Sequence, residues 1–287
     1  MPNFSSLTVF FPMHNEEAYI RPAVAAALET CRELVAEGEI ADYEILVVDD
    51  ASTDATGKIG EELAADDRHV RVVHHPVNRK LGGSLKTGFS EARGELVCYA
   101  DADLPFDFGE LRKACRLMRI YGADVVSAYR HDRTSEGPRR ALYSWGYNLL
   151  VRALFHFRIR DVNFSFKLCR RRIFDHLSLK SEGSFIDAEL LVRAHRLGYG
   201  VIQFGVDYFA RTRGPSTLSS GSVILQVLRE MSALRSELSG VRRLPPQTLR
   251  LRPLGYRNRR RGRGPDRLDP RRPERPVAQA VDATRDD

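Results

Sequence analysis

Short apolar runs, each one strand long, alternate with longer stretches in which apolar residues recur every three or four positions, and the alternation continues from residue 7 to about residue 128. The continuous runs at 7–11, 43–48, 70–73, 96–100 and 124–128 predict five buried strands. Between the first two, residues 16–37 place Ile20, Val24, Ala27, Leu28, Cys31 and Leu34 at helical spacing, with Pro22 suited to the first turn. Further helices are predicted from the caps at 52–56 to about residue 66, over 82–92 and over 108–121. Pro12 is expected to stop the first strand. Farther on, residues 190–197 read as a helix preceded by Asp187 and Glu189.

Strands alternating with helices at this spacing predict an α/β fold: a doubly wound, mostly parallel sheet of the Rossmann type. Such sheets bind ligands outside the carboxyl ends of their strands. The polar clusters fall at those ends: residues 12–17, residues 49–54, Gly82 and Gly83, residues 101–103, and Arg130.

Composition refines this picture. The chain has 287 residues, 43% of them hydrophobic, enough for a sizeable core. The net charge of +7 is uneven, because Arg, Pro and Gly dominate after about residue 240. The division expected is a folded domain over 1–240 and a disordered basic tail over 241–287. Such a tail is open to nucleic acid, to an anionic membrane, or to no partner beyond solvent. The four cysteines are far apart and form no Cys-x-x-Cys pair, which suits buried thiols in a reducing compartment. With no secretory signal and no apolar stretch long enough to span a bilayer, a cytoplasmic protein is expected, peripheral to a membrane at most.

The candidate chemistry centres on Asp101-Ala102-Asp103, which follows the apolar run 96–100. In an extended segment these two carboxylates share a face, and they repel unless a cation lies between them. Hard oxygen donors favour Mg2+ or Mn2+, and a site with few protein ligands suits a metal shared with substrate phosphates. A solvated turn is the bland reading of the tripeptide; its place at a strand end favours the metal. Gly82 and Gly83 open a helix and allow close backbone approach, either for an anion or simply for a turn. Lys86, one turn later, could reach a phosphate. Asn15 and Glu16 equally suit a helix-capping turn. The aromatic segment 141–157 fits an interfacial amphipathic helix as well as one buried against the sheet.

Four stretches together resemble the family 2 glycosyltransferases, the inverting nucleotide-sugar enzymes with the GT-A fold: Pro12-Met13-His14-Asn15-Glu16-Glu17, Val47-Val48-Asp49-Asp50-Ala51-Ser52-Thr53-Asp54, Asn78-Arg79-Lys80-Leu81-Gly82-Gly83, and Tyr99-Ala100-Asp101-Ala102-Asp103-Leu104. The resemblance covers about residues 6–220. Ser127-Ala128-Tyr129-Arg130, Asp161-Val162-Asn163-Phe164-Ser165-Phe166-Lys167, Phe185-Ile186-Asp187-Ala188-Glu189 and the stretch from Arg211 to Thr217 look most like the branch that glycosylates dolichyl or other polyprenyl phosphates.

The resemblance implies a GT-A catalytic domain that moves a hexose from a GDP- or UDP-linked sugar to a polyprenyl phosphate. It implies that Pro12, Asn15 and Glu16 frame the nucleoside and that Asp49 accepts a hydrogen bond from the base. Asp50 would support the loop or the diphosphate metal. Asp101 and Asp103 would hold Mg2+ or Mn2+, with Asp103 the more direct ligand. Arg130 and Arg213, ahead of Arg139, Arg140 and Arg211, would meet the donor and acceptor phosphates. Asp187 stands where relatives with hydroxyl acceptors carry a general base; a phosphate acceptor needs none, and an acidic first helical turn explains the residue equally. An anionic membrane surface is then the expected partner of the tail and no nucleic acid is. Two departures are Pro105, where the branch often has Gln beside the metal, and Ser216-Thr217, where many relatives have Ser-Lys. The rival expectations are a sugar, metabolite or protein acceptor, and a nucleotide-sugar-binding module without turnover.

Overall fold

Seven strands form one sheet in the order β3-β2-β1-β4-β6-β5-β7. The structure is a computed structural model that describes residues 2–131, 138–157, 159–209, 221–245 and 248–249, with only the helical backbone described for 138–143 and 221–225. In chain order the elements are β1 (Leu7–Met13), α1 (Ile20–Ala36), β2 (Tyr43–Asp49), α2 (Thr56–Asp66), β3 (Val70–His74), α3 (Lys80–Glu91), β4 (Leu96–Ala100), α4 (Glu110–Tyr121) and β5 (Val125–Arg130). There follow α5 (Pro138–Phe155), β6 (Phe166–Arg170), a 3₁₀ turn over Arg171–Asp175, α6 (Ile186–Leu197), β7 (Val201–Val206) and α7 (Gly221–Gly240).

β1 pairs in parallel with β2 and β4, β2 with β3, and β5 with β7. β6 runs antiparallel between β4 and β5. The mostly parallel doubly wound sheet read from the sequence is thus the one observed, with two additional strands. Helices cover both faces. Leu7, Val9, Phe11 and Met13 of β1 join α1 and α4 in one apolar cluster, while Phe10 turns to the other, which α3, α5, α6 and α7 cover. A sheet buried on both sides needs the near-continuous apolar strands that the sequence displays.

Several boundaries move for physical reasons. Pro12 does not stop β1, because Pro12 still lies opposite Val48. Leu7 N–H donates to the Asp42 carbonyl and the Met13 carbonyl accepts from Asp50 N–H, so odd residues of β1 face β2. Pro12 therefore faces the β4 side, beyond the last β1–β4 pair at Phe10–Tyr99, where no ladder donor is needed. α1 starts at Ile20 rather than residue 16, since Asn15 takes φ 57° and residues 16–19 form a turn that ends in Tyr19 N–H donating to Glu16 C=O. Packing also continues past residue 240: Leu244 N–H donates to the Leu197 carbonyl at 2.9 Å, and Val241, Leu244 and Leu249 pack on the second cluster. Residues 250–287, which hold most of the expected basic tail, lie outside the described residues.

All four cysteines are buried free thiols, and burial pushes Cys115 and Cys169 up to about 12. Among the described residues, no helix is long and apolar enough to cross a membrane.

Candidate active site

β1, β2, β3, β4 and β5 all point their carboxyl ends to one edge of the sheet, and the antiparallel β6 begins there. The loops after β1 and β2 are laced together. Asn15 N–H donates to Ser52 Oγ (3.0 Å), and Asn15 Oδ1 accepts from Thr53 N–H (2.8 Å). Glu16 N–H donates to Thr56 Oγ1 at 2.8 Å, and that hydroxyl in turn donates to Asp54 Oδ1 at 2.6 Å. Asp54 also accepts from Thr56 N–H and Glu17 N–H, and Glu17 accepts from Ala55 N–H. Asn15 is exposed, while Pro12 and Glu16 are half-buried at this rim.

Asp49 and Asp50 are both buried, but they turn to different partners. Asp49 Oδ1 accepts from Ser52 N–H (3.1 Å), and Oδ2 lies 2.8 Å from His74 Nδ1; the opposite nitrogen of that ring lies 2.8 Å from Glu61. Burial works to raise the Asp49 carboxyl, but the hydrogen bonds from Ser52 and His74 outweigh it and hold the group below its ordinary value. The bonds to Asp49 and Glu61 raise His74. Asp50 Oδ1 meets His75 Nδ1 (2.6 Å) and accepts from Arg79 N–H (2.7 Å), while His75 Nε2 reaches Thr87 Oγ1 (2.9 Å). Asp50 therefore ties the loop before α3 to the end of β2.

Asp101 and Asp103 do not lie in an extended segment. β4 ends at Ala100, and Leu104 N–H donates to the Asp101 carbonyl at 3.2 Å, closing a turn in which Leu104 takes φ 39°. The alternation argument for a shared face gives way to a tight turn that still carries both carboxylates at the mouth of β4. The turn is braced by the segment after β7: Phe209 N–H donates to the Pro105 carbonyl at 2.8 Å. Both aspartates are half-buried, and among the described residues no cluster of three or more His, Cys, Asp or Glu could hold a metal. A pair of hard carboxylate donors is of the kind that would suit a divalent cation.

Three expected phosphate contacts are engaged elsewhere. The Arg130 fork is bidentate on Asp161, with Nε to Oδ2 and an Nη2 to Oδ1 contact both at 2.6 Å, and its guanidinium lies over the Phe164 and Tyr208 rings. The pair is almost fully buried. Gly82 is needed for close approach, but to protein: its N–H donates to the Glu182 carbonyl (2.9 Å), and a Cβ there would come within 2.3 Å of the Ser181 carbonyl oxygen. Lys86 forms an ion pair with Glu182 rather than reaching into the edge. Arg213, like Arg211, Ser216 and Thr217, lies outside the described residues, as do the side chains of Arg139 and Arg140.

Asp187, in the first turn of α6, is buried. Its Oδ1 meets Lys167 Nζ at 2.5 Å and the Tyr99 hydroxyl, and Lys167 also donates to the Phe164 carbonyl (2.8 Å) and to Tyr99 (3.0 Å). Lys167 is fully buried. Burial, then the Asp187 charge, push the Tyr99 phenol well above its ordinary value. Glu189 is likewise buried. It accepts from Lys180 N–H and Ser181 N–H and from Arg193 Nε (2.7 Å), clasping the loop that carries Gly183 into α6. Sequence reasoning passed over His74, His75, Asp161 as the Arg130 partner, and Lys167 as a counter-ion. His74 ends the third strand at the ligand edge with His75 directly after it, and Lys167 is a lone charge in an apolar run; those are their signals.

A mostly parallel sheet with loop carboxylates collected at its carboxyl edge, and a two-aspartate turn at its fourth strand, is the arrangement of the GT-A class of α/β proteins. The family model for glycosyl transferase family 2 matches residues 8–178, and the chain belongs to that family. It is 33% identical over 207 residues to Glycosyltransferase AglD of Haloferax volcanii, which covers 70% of this chain and 33% of the relative, so the chain spans one third of that protein's length. It is 27% identical over 194 residues to an undecaprenyl-phosphate mannosyltransferase of Micrococcus luteus, covering 64% of this chain and 79% of the relative. Among solved structures, glucosyl-3-phosphoglycerate synthase from Mycobacterium tuberculosis in complex with uridine diphosphate aligns with TM-score 0.58 and 20% identity, covering 81% of this chain and 80% of that one. A mannosyltransferase from Pyrobaculum calidifontis in complex with GDP-Man and Mn2+ aligns with TM-score 0.55 and 19% identity, covering 81% and 68%. At these identities the structural likeness concerns the fold.

Proposed function

We propose that the protein transfers a hexose from a nucleotide diphosphate sugar, GDP- or UDP-linked, to a polyprenyl phosphate at the inner face of a membrane. The observation that carries this is the Asp101–Leu104 turn at the mouth of β4, beside the Asp49 and Asn15 loops and supported by the similarity to the mannosyltransferase of Micrococcus luteus, whose name specifies an undecaprenyl phosphate.

In this reading the loops of Asn15, Glu16 and Asp49 bracket the nucleoside. Asp49 accepts a base N–H, and a buried carboxylate discriminates well because an analogue without that donor leaves it unpaired. Asp101 and Asp103 would hold Mg2+ or Mn2+, which would supply positive charge to offset that of the departing diphosphate. An oxygen of the acceptor phosphate, already anionic, attacks the anomeric carbon as the bond to the diphosphate breaks, inverting that carbon. No general base is required, and Asp187 serves instead as the carboxylate that neutralises Lys167 under the site. The cations that meet the acceptor are sought among Arg211 and Arg213, since Arg130 and Lys86 already have carboxylate partners.

The test is transfer of radiolabelled hexose, from GDP- and UDP-linked donors with Mn2+, into an organic-extractable, mild-acid-labile product. Asp103→Ala is expected to reduce it at least about a hundredfold, the size of a lost charge-stabilising contact. Label that enters only a water-soluble product would move the acceptor to a sugar or metabolite. Unchanged transfer by Asp103→Ala would remove the metal assignment.

A further inference from the structure

We propose that His74 is a positioning residue for the donor: held between two carboxylates, it locks Asp49 in the orientation that meets the nucleobase and so sets how well one base is told from another. This rests on the reading above, in which Asp49 accepts a base N–H, and adds a residue outside the loops that bracket the nucleoside. β2 and β3 run in parallel with Asp49 directly opposite His74, so the ring stands beside the carboxylate at the strand ends. Asp49 is buried and is held at each oxygen, by Ser52 N–H at Oδ1 (3.1 Å) and by His74 Nδ1 at Oδ2 (2.8 Å). Ala51, between them in sequence at φ 57°, turns the chain so that Ser52 comes back to Asp49. A backbone conformation of that kind persists where its surroundings hold it, and it gathers at sites that bind. One bond alone would leave the carboxylate free to swing about its Cβ–Cγ bond; the two together fix its plane, which is the preorganisation a specific contact needs.

The far side of the ring is anchored as well. His74 Nε2 lies 2.8 Å from Glu61 Oε1 on α2. A neutral imidazole carries one N–H, so with a carboxylate at each nitrogen only the doubly protonated ring donates to both. Glu61 thus holds the ring in place and favours a charged donor, whose bond to a carboxylate is about twice as strong as a neutral one. His75, next in the chain, is turned to Asp50, so the two histidines serve different carboxylates. A third element makes room for the contact. Gly57 lies in the first turn of α2, where glycine is less favourable than alanine. A Cβ there would come within 2.8 Å of Asp49 Oδ2 and 3.3 Å of His74 Cε1. The helix omits a side chain at the place where the Asp49–His74 bond passes.

The test is calorimetric titration of the full chain, with Mn2+ present, by UDP and GDP and by N3-methyl-UDP and N1-methyl-GDP, which lack the base N–H. Transfer kinetics against donor concentration accompany it, and circular dichroism melts show that each variant folds. The unaltered protein is expected to bind one nucleotide at least about tenfold more tightly than its methylated form. His74→Leu should weaken that nucleotide at least about tenfold and bring its ratio to the methylated form toward one. The donor KM should rise by the same factor while kcat stays within about twofold, because the contact is to the base and not to the reacting carbon. His74→Asn, which keeps an N–H near the place of Nδ1, should recover all but about threefold of the affinity. Gly57→Ala, with His74 in place, should weaken the nucleotide at least about threefold by pushing on the same bond. A His74→Leu protein that binds and discriminates like the unaltered one would overturn the proposal. So would equal losses for the plain and methylated nucleotides, or a fall in kcat with KM unchanged. Discrimination lost in Asp49→Asn but intact in His74→Leu removes His74 and leaves Asp49 its role. An unaltered protein that binds the methylated forms as tightly as the plain ones removes the Asp49 reading, and the role of His74 with it.

Discussion

Lys167 is the most consequential single side chain to remove. It is fully buried, with Nζ 2.5 Å from Asp187 Oδ1 and bonds to Tyr99 and the Phe164 carbonyl. Lys167→Met keeps most of the volume and removes the charge, leaving the Asp187 carboxylate buried with the Tyr99 hydroxyl and without its counter-ion. Breaking a buried pair from one side costs about 3–5 kcal/mol. For a folded unit of this size, where each kcal/mol moves the melting temperature by about 2–4 °C, that is a drop of about 6–20 °C. The partner change Asp187→Asn should cost a similar amount. The double variant Lys167→Met with Asp187→Asn leaves no buried charge and should recover at least about half of the loss, because removing both ions is far cheaper than stranding one. Urea and thermal melts of the four proteins complete the cycle. A single variant that melts within about 2 °C of the unaltered protein, or a double variant as unstable as the sum of the singles, would refute the view that this pair is coupled and dry.

Two further predictions follow from the site. Asp49 and Glu61 raise His74, so His74 adds stability that is present below its ordinary value near 6.5 and is lost as pH rises through the higher folded value. Stability should therefore decline as pH rises above about 6.5, His74→Gln should flatten that decline, and NMR titration should show Asp49→Asn bringing the His74 midpoint back toward 6.5. Gly82→Ala forces a methyl against the Ser181 and Glu182 backbone and should destabilise by about 1–3 kcal/mol in thermal melts. Gly146→Ala, where nothing lies within 4 Å, should be neutral or stabilise by up to about 1 kcal/mol; equal losses at both glycines would overturn the contact assignment.

The first five strands and the helices between them are readable because each is a local pattern: a run of apolar residues, then helical spacing, then a polar stop at the ligand edge. The same rule places Asn15, Asp49, Asp50, Asp101 and Asp103 at that edge, where the structure has them. What the residues do not announce is partnership across distance. Nothing near Arg130 indicates that Asp161, 31 positions on, takes both arms of its fork. The run at 166–170 is ordinary for a strand, and only the sheet reveals that it enters antiparallel between two earlier ones. The Asp101 turn defeats the alternation rule because β4 stops one residue short of it. Gly82 shows how one residue requirement admits two causes, since a close approach to backbone, as at Ser181 and Glu182, and one to phosphate call for the same glycine.

The insertion of β6 has a consequence for how the chain acquires its shape. β5 pairs only with β6 and β7, both made after it. As the polypeptide emerges, β1 to β4 can assemble with their helices once residue 100 is available, but β5 then waits, with no earlier strand to adopt it, until at least residue 170 has left the ribosome. During that interval β4 offers a bare edge, and edges of that kind recruit wrong partners. Residues 138–170 therefore set the timing of assembly: a ribosome that stalls within them would hold out a half-sheet with one strand unclaimed.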